Sequence, residues 1–282
     1  MPFDSMQTEY GSPTDQPVGD APSLTVEQAI ANLRGSDLGL RYYAAWWLGR
    51  FRVATSEAVD TLIESLSDEC DRTTEGGYPL RRNSARALGK LGDRRAVPAL
   101  VACLECDDFY VREAAAQALG KLGDRASIPA LMKLLAGGLT AAQPIPGKAR
   151  LGQPYDAILE ALGELAATDA IDLVAPFLEH PFELIQYSAA RAMYQLTQDR
   201  CYGERLVQAL SGDKLQLRRS ALADLGAIGY LPAADAIAQT LAENSLKIFS
   251  LRGLLESAVN QAGSPDLSDD TIRVMALIDA LL

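Results

Sequence analysis

Four aromatic side chains crowd residues 42–47, within the stretch RYYAAWWLGRF of residues 41–51. Both tryptophans of the chain fall here, together with two of its ten tyrosines. Residues four apart lie on one face of a helix, so Tyr42 and Trp46 should stand side by side. Covering an aromatic side chain removes about 150–250 Å² from water, so an exposed pair predicts a ligand or partner that stacks on it.

Polar or charged residues occupy most of the same two positions in later copies of this segment. The second copy has Arg82 and Arg86, the fourth has Asp156 and Glu160, and the fifth has Arg191 at the second position. Guanidinium groups pair with carboxylates, and carboxylates accept hydrogen bonds from N–H groups. If the copies stack, this row suits a planar conjugated ligand that carries carboxylates and ring N–H groups.

These copies are units of an internal repeat, which is the first feature to seek in a sequence. The segment RRNSARALGKLGDRRAVPALVACL, from Arg81, matches VREAAAQALGKLGDRASIPALMKLL, from Val111. Aligned on its Leu-Gly pair, the repeat recurs at residues 48–49, 162–163, 193–194 and 225–226, with a degenerate last copy from Ile248.

Each unit has the pattern of two helices. In one unit, apolar residues recur at helical spacing at Val111, Ala114, Ala115, Ala118, Leu119 and Leu122. Gly123 is suited to end this helix, Asp124 to cap the next, and Pro129 to its first turn. A pair that cannot bury its apolar stripe alone must stack on its neighbours. The sequence therefore predicts an all-α fold, an α-solenoid of about six HEAT-like two-helix repeats.

The first copy differs from the others at two stripe positions. Tyr43 and Trp47 match alanines of the apolar stripe, and no earlier repeat precedes them. We therefore expect both to seal the end of the core. Tyr42 and Trp46 match polar residues off the stripe and are expected to face solvent or a groove.

Two insertions lengthen the repeat. The Leu-Gly marks follow each other at intervals of 40, 31, 43, 31 and 32 residues, and the excess falls at residues 71–80 and 136–149. Both segments join the first helix of a repeat to the second, so both should emerge at one edge of the solenoid. Such insertions often belong to a binding surface, and neutral drift in surface loops is the alternative.

Composition limits the partners and the compartment. The chain has 282 residues and a formal net charge of −11, which argues against nucleic acid or an anionic membrane as the main partner. Residues 1–23 are polar and are expected to form a disordered tail, with residues 24–282 forming one solenoid domain. The sequence shows no signal or transit segment and no apolar run of about 20 residues. We expect a cytoplasmic protein.

The residue types and their spacing give little support to a metal site or a nucleotide-binding site. Cys103 and Cys106 form a C-x-x-C pair, but the second pair of a zinc site is missing, so core positions are expected for both. His180 is the only histidine, too few for a di-iron centre, and is expected to be structural, with a general base as the alternative. No phosphate-binding glycine motif is present. We predict no metal site and no intrinsic cofactor.

A solenoid that opens with RYYAAWWLG resembles the E subunits of the heterodimeric E/F-type phycobilin lyases, and most of all those acting on the phycocyanin α-subunit. The resemblance runs from SLTVEQAIANLRGSDLGLRYYAAWWLGRF, residues 23–51, through the repeats to the C-terminus. Its specific part is YYAAWWL, residues 42–48. The Leu-Gly-Asp repeats alone are shared by many unrelated HEAT-like proteins.

The resemblance implies a heterodimer with a homologous F subunit. Together the two subunits would attach phycocyanobilin, the substrate, by a thioether bond to a cysteine of the apo-phycocyanin α-subunit. The acceptor protein supplies the nucleophile. Asp156 and Glu160 are the expected catalytic residues, which keep the pyrrole nitrogens protonated. The expected bilin-binding residues are Tyr42, Tyr43, Trp46, Trp47, Arg82, Arg86 and Arg191, with the arginines pairing with propionates.

Several alternatives stay open at this point. The chain could serve as a lyase subunit for a related phycobiliprotein, or as a non-catalytic HEAT-like adaptor or chaperone of phycobiliproteins. Some lyases of this family also isomerise the bilin, through a motif in the partner subunit. Covalent loading of bilin on Cys70, beside the first insertion, is a further alternative. Finally, the chain could be an unrelated helical scaffold whose aromatic turn only caps the first repeat of the solenoid.

Overall fold

The computed structural model describes residues 24–145, 151–262 and 268–282. Within these ranges the chain is helical and contains no β-strand. The α-helices are α1 Val26–Arg34, α2 Leu38–Arg50, α3 Ser56–Ser65, α4 Pro79–Leu91, α5 Val97–Cys103, α6 Phe109–Leu122, α7 Ile128–Leu135, α8 Gly138–Ala141, α9 Tyr155–Glu164, α10 Ile171–Val174, α11 Glu183–Thr197, α12 Arg200–Ala209, α13 Leu215–Ile228, α14 Ala234–Gln239, α15 Asn244–Ala262 and α16 Asp269–Asp279. Short 3₁₀ segments occur at Arg94–Ala96, Arg125–Ser127, Thr168–Ala170, Ala175–Glu179 and Leu231–Ala233.

The helices form two layers. In one layer, successive helices pack side by side in chain order: α2, α4, α6, α9, α11, α13 and α15. We call these the stacked helices. Most of the remaining helices are shorter and pack against them as a second layer. This is the two-layer α-solenoid that the repeat predicts, and the seventh stacked helix is the degenerate last copy.

The repeat unit folds as its sequence indicates. All six apolar stripe residues of α6, from Val111 to Leu122, are buried. Gly123 ends the helix with a φ of 63°, in the left-handed region that favours glycine. The Asp124 side chain accepts a hydrogen bond from the Ala126 N–H and so caps the following 3₁₀ turn. These features confirm the predicted helix ends.

The glycine of the Leu-Gly pair also sets the spacing between stacked helices, which the repeat pattern did not reveal. A Cβ added at Gly89 would lie 2.8 Å from the Cα of Ala118 on the next stacked helix. One at Gly49 would lie 2.8 Å from the Cα of Ala87. Because no side chain fits in so small a gap, these glycines let successive helices approach closely.

This close contact is missing at one step of the stack. Between α11 and α13, Tyr194 stands at the glycine position and Asp224 at the matching alanine position. The buried apolar residues fall into two clusters that meet at α11, with Ala189 in the first and Ala190 in the second. The core is therefore divided where the glycine–alanine contact is replaced by larger side chains.

The two insertions precede stacked helices. Residues 71–80 lead into α4, and their buried Tyr78 donates its backbone N–H to the Asp108 carboxylate at 2.8 Å. Residues 136–149 lead towards α9, so both emerge at the edge where stacked helices begin, as predicted. Their part in binding stays a prediction. Residues 146–149 of the second insertion lie outside the described residues, as does the predicted disordered tail, residues 1–23.

None of the described helices is both long enough and apolar enough to cross a bilayer.

Candidate functional site

Three aromatic side chains of α2 form an exposed patch, which we call the aromatic patch. Tyr42, Tyr43 and Trp46 are 40%, 48% and 43% exposed. The rings of Tyr43 and Trp46 lie 5.5 Å apart, centre to centre, at 30° to each other. The expectation that Tyr42 and Trp46 lie off the core is confirmed. The patch offers flat apolar surface on which a planar ligand can stack.

The expectation for the other two aromatic residues is half right. Trp47 is half-buried against the core, and its ring lies 4.9 Å from that of Phe51, so it does seal the first repeat. The prediction that Tyr43 joins it in the core is wrong. In later repeats the corresponding residue is covered by the preceding stacked helix, and among the described residues α2 has no such predecessor. Tyr43 therefore joins the exposed patch.

The arginines of α4 continue this face. Arg86 lies one helix along from Trp46 at the equivalent position, and its guanidinium is 3.8 Å from the Glu113 carboxylate of α6. The Arg82 guanidinium lies 5.7 Å from the ring centre of Tyr110. Burial raises the pKa of Glu113, an effect increased by Asp156 and opposed by the two arginines. Charges of both signs therefore meet across α4, α6 and α9.

The two carboxylates of α9 have raised pKa values. Burial raises the pKa of Asp156 above its usual range. Burial also raises the pKa of Glu160 to about 7, although Arg191 opposes the shift. Glu160 accepts a hydrogen bond from the Ser188 hydroxyl at 3.3 Å. A carboxyl group with a pKa near 7 can hold or release a proton at neutral pH, which is what the expected catalytic role requires.

Buried Arg191 lies at the centre of a cluster of three carboxylates. It is 8% exposed, and its guanidinium nitrogens lie 3.1 Å from Glu160, 2.7 Å from Glu164 and 3.2 Å from Asp224. Asp224 is 3% exposed, and burial raises its pKa. We call these four residues the Arg191 cluster. Arg191 is thus engaged with protein carboxylates and positions Glu160, whereas Arg86 is the more exposed of the expected arginines.

A further row of charges lies one helical turn beyond Trp46 and Arg86. Arg50 follows Trp46 by four residues, Lys90 follows Arg86 by four, and Lys121 is the equivalent residue of α6. These three residues, with Arg52, Gly49 and Gly89, line a cavity of about 470 Å³. We call it the basic pocket. Because residues four apart share a helix face, it adjoins the row that begins with Trp46 and Arg86.

Known proteins resemble this chain both in its repeats and over nearly its whole length. A family model for HEAT repeats matches residues 76–138, and a model for the PBS lyase HEAT-like repeat matches residues 40–68. The phycocyanobilin lyase subunit alpha of Microchaete diplosiphon is 66% identical over 94% of this chain and 92% of its own length. The chain belongs to the family of phycocyanobilin lyase alpha subunits.

Other members of this lyase family agree with that assignment. The phycocyanobilin lyase subunit alpha of Pseudanabaena tenuis is 63% identical over 98% of the chain and all of the relative. The solved complex of CpcE and CpcF of phycocyanin lyase from Nostoc sp. PCC7120 contains a chain that is 61% identical, with a TM-score of 0.88. The alignment covers 96% of this chain and all of that one.

His180, Cys103 and Cys106 of this lyase-family chain have structural environments, whereas Cys70 and Cys201 are exposed. His180 is buried, its Nε2 lies 2.9 Å from the Ala142 carbonyl oxygen, and its Nδ1 accepts the Phe182 N–H at 3.0 Å. Cys103 is buried, as expected, and burial raises its pKa to about 11. Cys106 is half-buried, 3.9 Å from the Arg81 guanidinium. Over the described ranges, no group of three or more His, Cys, Asp or Glu side chains could hold a metal ion.

Sequence reasoning missed two parts of this site in the lyase-family chain. The first is Asp224, which occupies the position held by alanine in the middle repeats. A carboxylate in an otherwise apolar slot indicates a buried cationic partner, which is Arg191. The second is the basic pocket. Extending the aligned positions by one more turn would have found it, because the Leu-Gly pair is followed by Arg50, Lys90 and Lys121.

Proposed function

We propose that the chain is the α-subunit of a heterodimeric lyase that attaches phycocyanobilin through a thioether bond to a cysteine of the phycocyanin α-subunit. Its partners are a homologous F subunit and the apo-phycocyanin α-subunit, and phycocyanobilin is a substrate rather than a resident cofactor. The observation that carries the proposal is 66% identity to such a subunit over 94% of the chain. We infer that the protein acts in the cytoplasm, since the apo-antenna protein would be available there.

The aromatic patch is the stacking surface in this proposal. An open-chain tetrapyrrole is planar and conjugated, so its rings gain from contact with the faces of Tyr42, Tyr43 and Trp46. The exposure of these three side chains supports the role, because covering them returns the free energy that leaving them in water costs. Trp47 packs against the core of the first repeat and so anchors the helix that carries the patch.

Arg82 and Arg86 extend the bilin site across α4. Their guanidinium groups add positive charge beside the aromatic patch, and the exposed fraction of Arg86 leaves it accessible to an anionic ligand. Arg191 acts in the proposal through the residues it touches. Its contacts with Glu164 and Asp224 fix the guanidinium group, which in turn holds Glu160 in place and opposes the rise of the Glu160 pKa.

The reaction needs an oriented bilin and a controlled proton. The acceptor thiolate adds to the ethylidene carbon of ring A, a C–S bond forms, and the π electrons move into the conjugated system. The tetrapyrrole then takes up a proton equivalent to the one that the thiol lost, so no oxidant or reductant is consumed. Glu160, with a pKa of about 7, and Asp156 are placed in this proposal to keep ring nitrogens protonated and the ring system electrophilic.

Reconstitution in a heterologous host tests the proposal. The chain is coexpressed with its F partner, the apo-phycocyanin α-subunit and a supply of phycocyanobilin, and covalent bilin is scored by fluorescence on a denaturing gel. We expect colour on the acceptor only when both subunits are present. Complex formation with the acceptor but no covalent bilin would contradict the proposal and indicate an adaptor or chaperone.

A further inference from the structure

The basic pocket gathers four cations in a strongly acidic protein. Arg50, Arg52, Lys90 and Lys121 line it, and no carboxylate contributes to its wall. All four side chains are exposed, while the whole chain has a net charge of −11. In the part of the chain that the structure describes, none of the four makes an ion pair or a side-chain hydrogen bond. They are therefore available to an anionic ligand.

Helix stability does not explain the pocket. Cations in the last turn of a helix do interact favourably with its dipole, by about 0.3–1 kcal/mol each. The equivalent positions of the next three stacked helices, however, hold Glu164, Gln195 and Ala227, so the fold does not require a cation there. Arg52 lies beyond the end of α2 altogether, with a φ of 53° that is uncommon outside glycine.

The pocket lies where a ligand on the aromatic patch would reach it. Arg50 is one turn from Trp46 on α2, and Lys90 is one turn from Arg86 on α4. Side chains at this spacing are about 5–6 Å apart at their Cβ atoms. Gly49 and Gly89 let α2, α4 and α6 pack closely, which brings the three helix ends to one cavity.

We propose that the basic pocket binds the two propionate carboxylates of the linear tetrapyrrole while its rings stack on the aromatic patch. This inference rests on the proposed function and identifies the side chains that would bind the ligand carboxylates. Four cations offer two positive partners to each of the two carboxylates, and both lysine and arginine form strong charge-assisted hydrogen bonds with carboxylates. Arg82, Arg86 and Arg191 are thereby released from the propionate-binding role expected from the sequence, and Arg191 is in any case engaged with protein carboxylates.

Binding of phycocyanobilin and of its dimethyl ester tests the proposal, because the ester keeps the rings and removes both negative charges. Each ligand is titrated into the full chain in complex with its F partner, and affinity is read from the change in bilin absorbance. The test variants are Lys90→Gln/Lys121→Gln and, independently, Arg50→Gln/Arg52→Gln. The control, Arg94→Gln/Lys133→Gln, removes two exposed cations that do not line the pocket.

We expect the unaltered complex to bind the diacid at least about tenfold more tightly than the ester. Each test variant should lose most of that preference by weakening diacid binding, with the ester unaffected and the control unchanged. An unchanged preference in both test variants would overturn the pocket assignment. So would weaker capture of the apo-phycocyanin α-subunit with bilin affinity intact, which would assign the cations to an acidic protein partner.

The two proposals can fail separately. A complex that attaches bilin covalently but binds diacid and ester equally would overturn the pocket assignment and leave the lyase function in place. A complex that neither binds nor attaches bilin, under conditions where circular dichroism shows folded helices, would overturn both.

Discussion

At the scale of single residues, the packing of the Arg191 cluster explains the raised pKa of Glu160. One guanidinium faces three carboxylates of Glu160, Glu164 and Asp224, so the cluster would carry excess negative charge if all three ionised. Burial makes that excess costly, and the carboxyl group of Glu160 responds with a pKa of about 7. Proton-holding capacity at neutral pH is thus a consequence of packing charged residues between α9, α11 and α13.

Replacement of Glu160 should change how stability depends on pH. A carboxyl group whose pKa rises on folding, from 4.5 to about 7, stabilises the folded state below pH 4.5, and this contribution is lost as the pH rises through 7. The free energy of unfolding of the unaltered chain should therefore fall faster over this window than that of Glu160→Gln, by at most about 1.4 kcal/mol per pH unit. Chemical denaturation at several pH values measures it, and parallel curves would contradict the prediction.

Removal of the central cation should be much more damaging than removal of an exposed one. Arg191→Met leaves the buried Asp224 and the partly exposed Glu160 and Glu164 without their partner, and should lower the free energy of unfolding by about 3–5 kcal/mol. The matched control is Arg219→Met, which breaks an exposed pair with Glu243 and should cost less than about 1 kcal/mol. Urea denaturation at neutral pH compares them. Equal losses in the two variants would show that the Arg191 cluster is not a buried unit.

At the scale of elements, the Leu-Gly pair decides how the stacked helices meet. Its leucine belongs to the apolar stripe, and its glycine removes the side chain that would hold the next helix away. The gap at Gly89 and Ala118 is 2.8 Å between the added Cβ and the facing Cα. Where Tyr194 replaces glycine, the contact gives way to the Arg191 cluster, and the apolar core divides in two.

A single methyl group at this contact should separate two helices. Gly89→Ala should lower the free energy of unfolding by about 1–3 kcal/mol, because the backbone of Ala118 cannot move aside without a shift of α6. Gly39→Ala is the control. Its added Cβ meets only the Asp37 side chain, and alanine favours the helix by up to about 1 kcal/mol. If thermal denaturation shows no loss for Gly89→Ala, the glycine does not set the spacing.

The repeat made much of this architecture predictable, and individual contacts show where prediction stopped. The stripe of α6 and the ends at Gly123 and Asp124 follow from periodicity and helix-capping chemistry, which are local properties. The exposure of Tyr43 does not, because it depends on which neighbour covers it. Burial of Arg191 likewise depends on Asp224, a residue 33 positions further along the chain. Such pairings are set by the stacking of helices rather than by either segment alone.

At the scale of the whole molecule, one face of the stacked helices carries three kinds of surface in order. The aromatic patch lies on the first helix, the arginines and the basic pocket extend over the first three, and the acidic residues occupy the middle of the array. A rigid solenoid can present such groups at fixed separations without a deep enclosed cavity. This arrangement fits an extended ligand with apolar rings, carboxylates and ring N–H groups.

Covalent bilin attachment by an aromatic-patch variant is the measurement that bears most directly on this face. Tyr42→Ala/Trp46→Ala is compared with the unaltered chain and with Phe182→Ala, whose aromatic side chain is 44% exposed elsewhere on the molecule. With the F subunit, the apo-acceptor and phycocyanobilin present, we expect initial rates of attachment to fall at least about tenfold in the double variant. The control should keep its rate, and all three chains should unfold at similar temperatures. Full attachment activity in the folded double variant would contradict the assignment of this face to bilin.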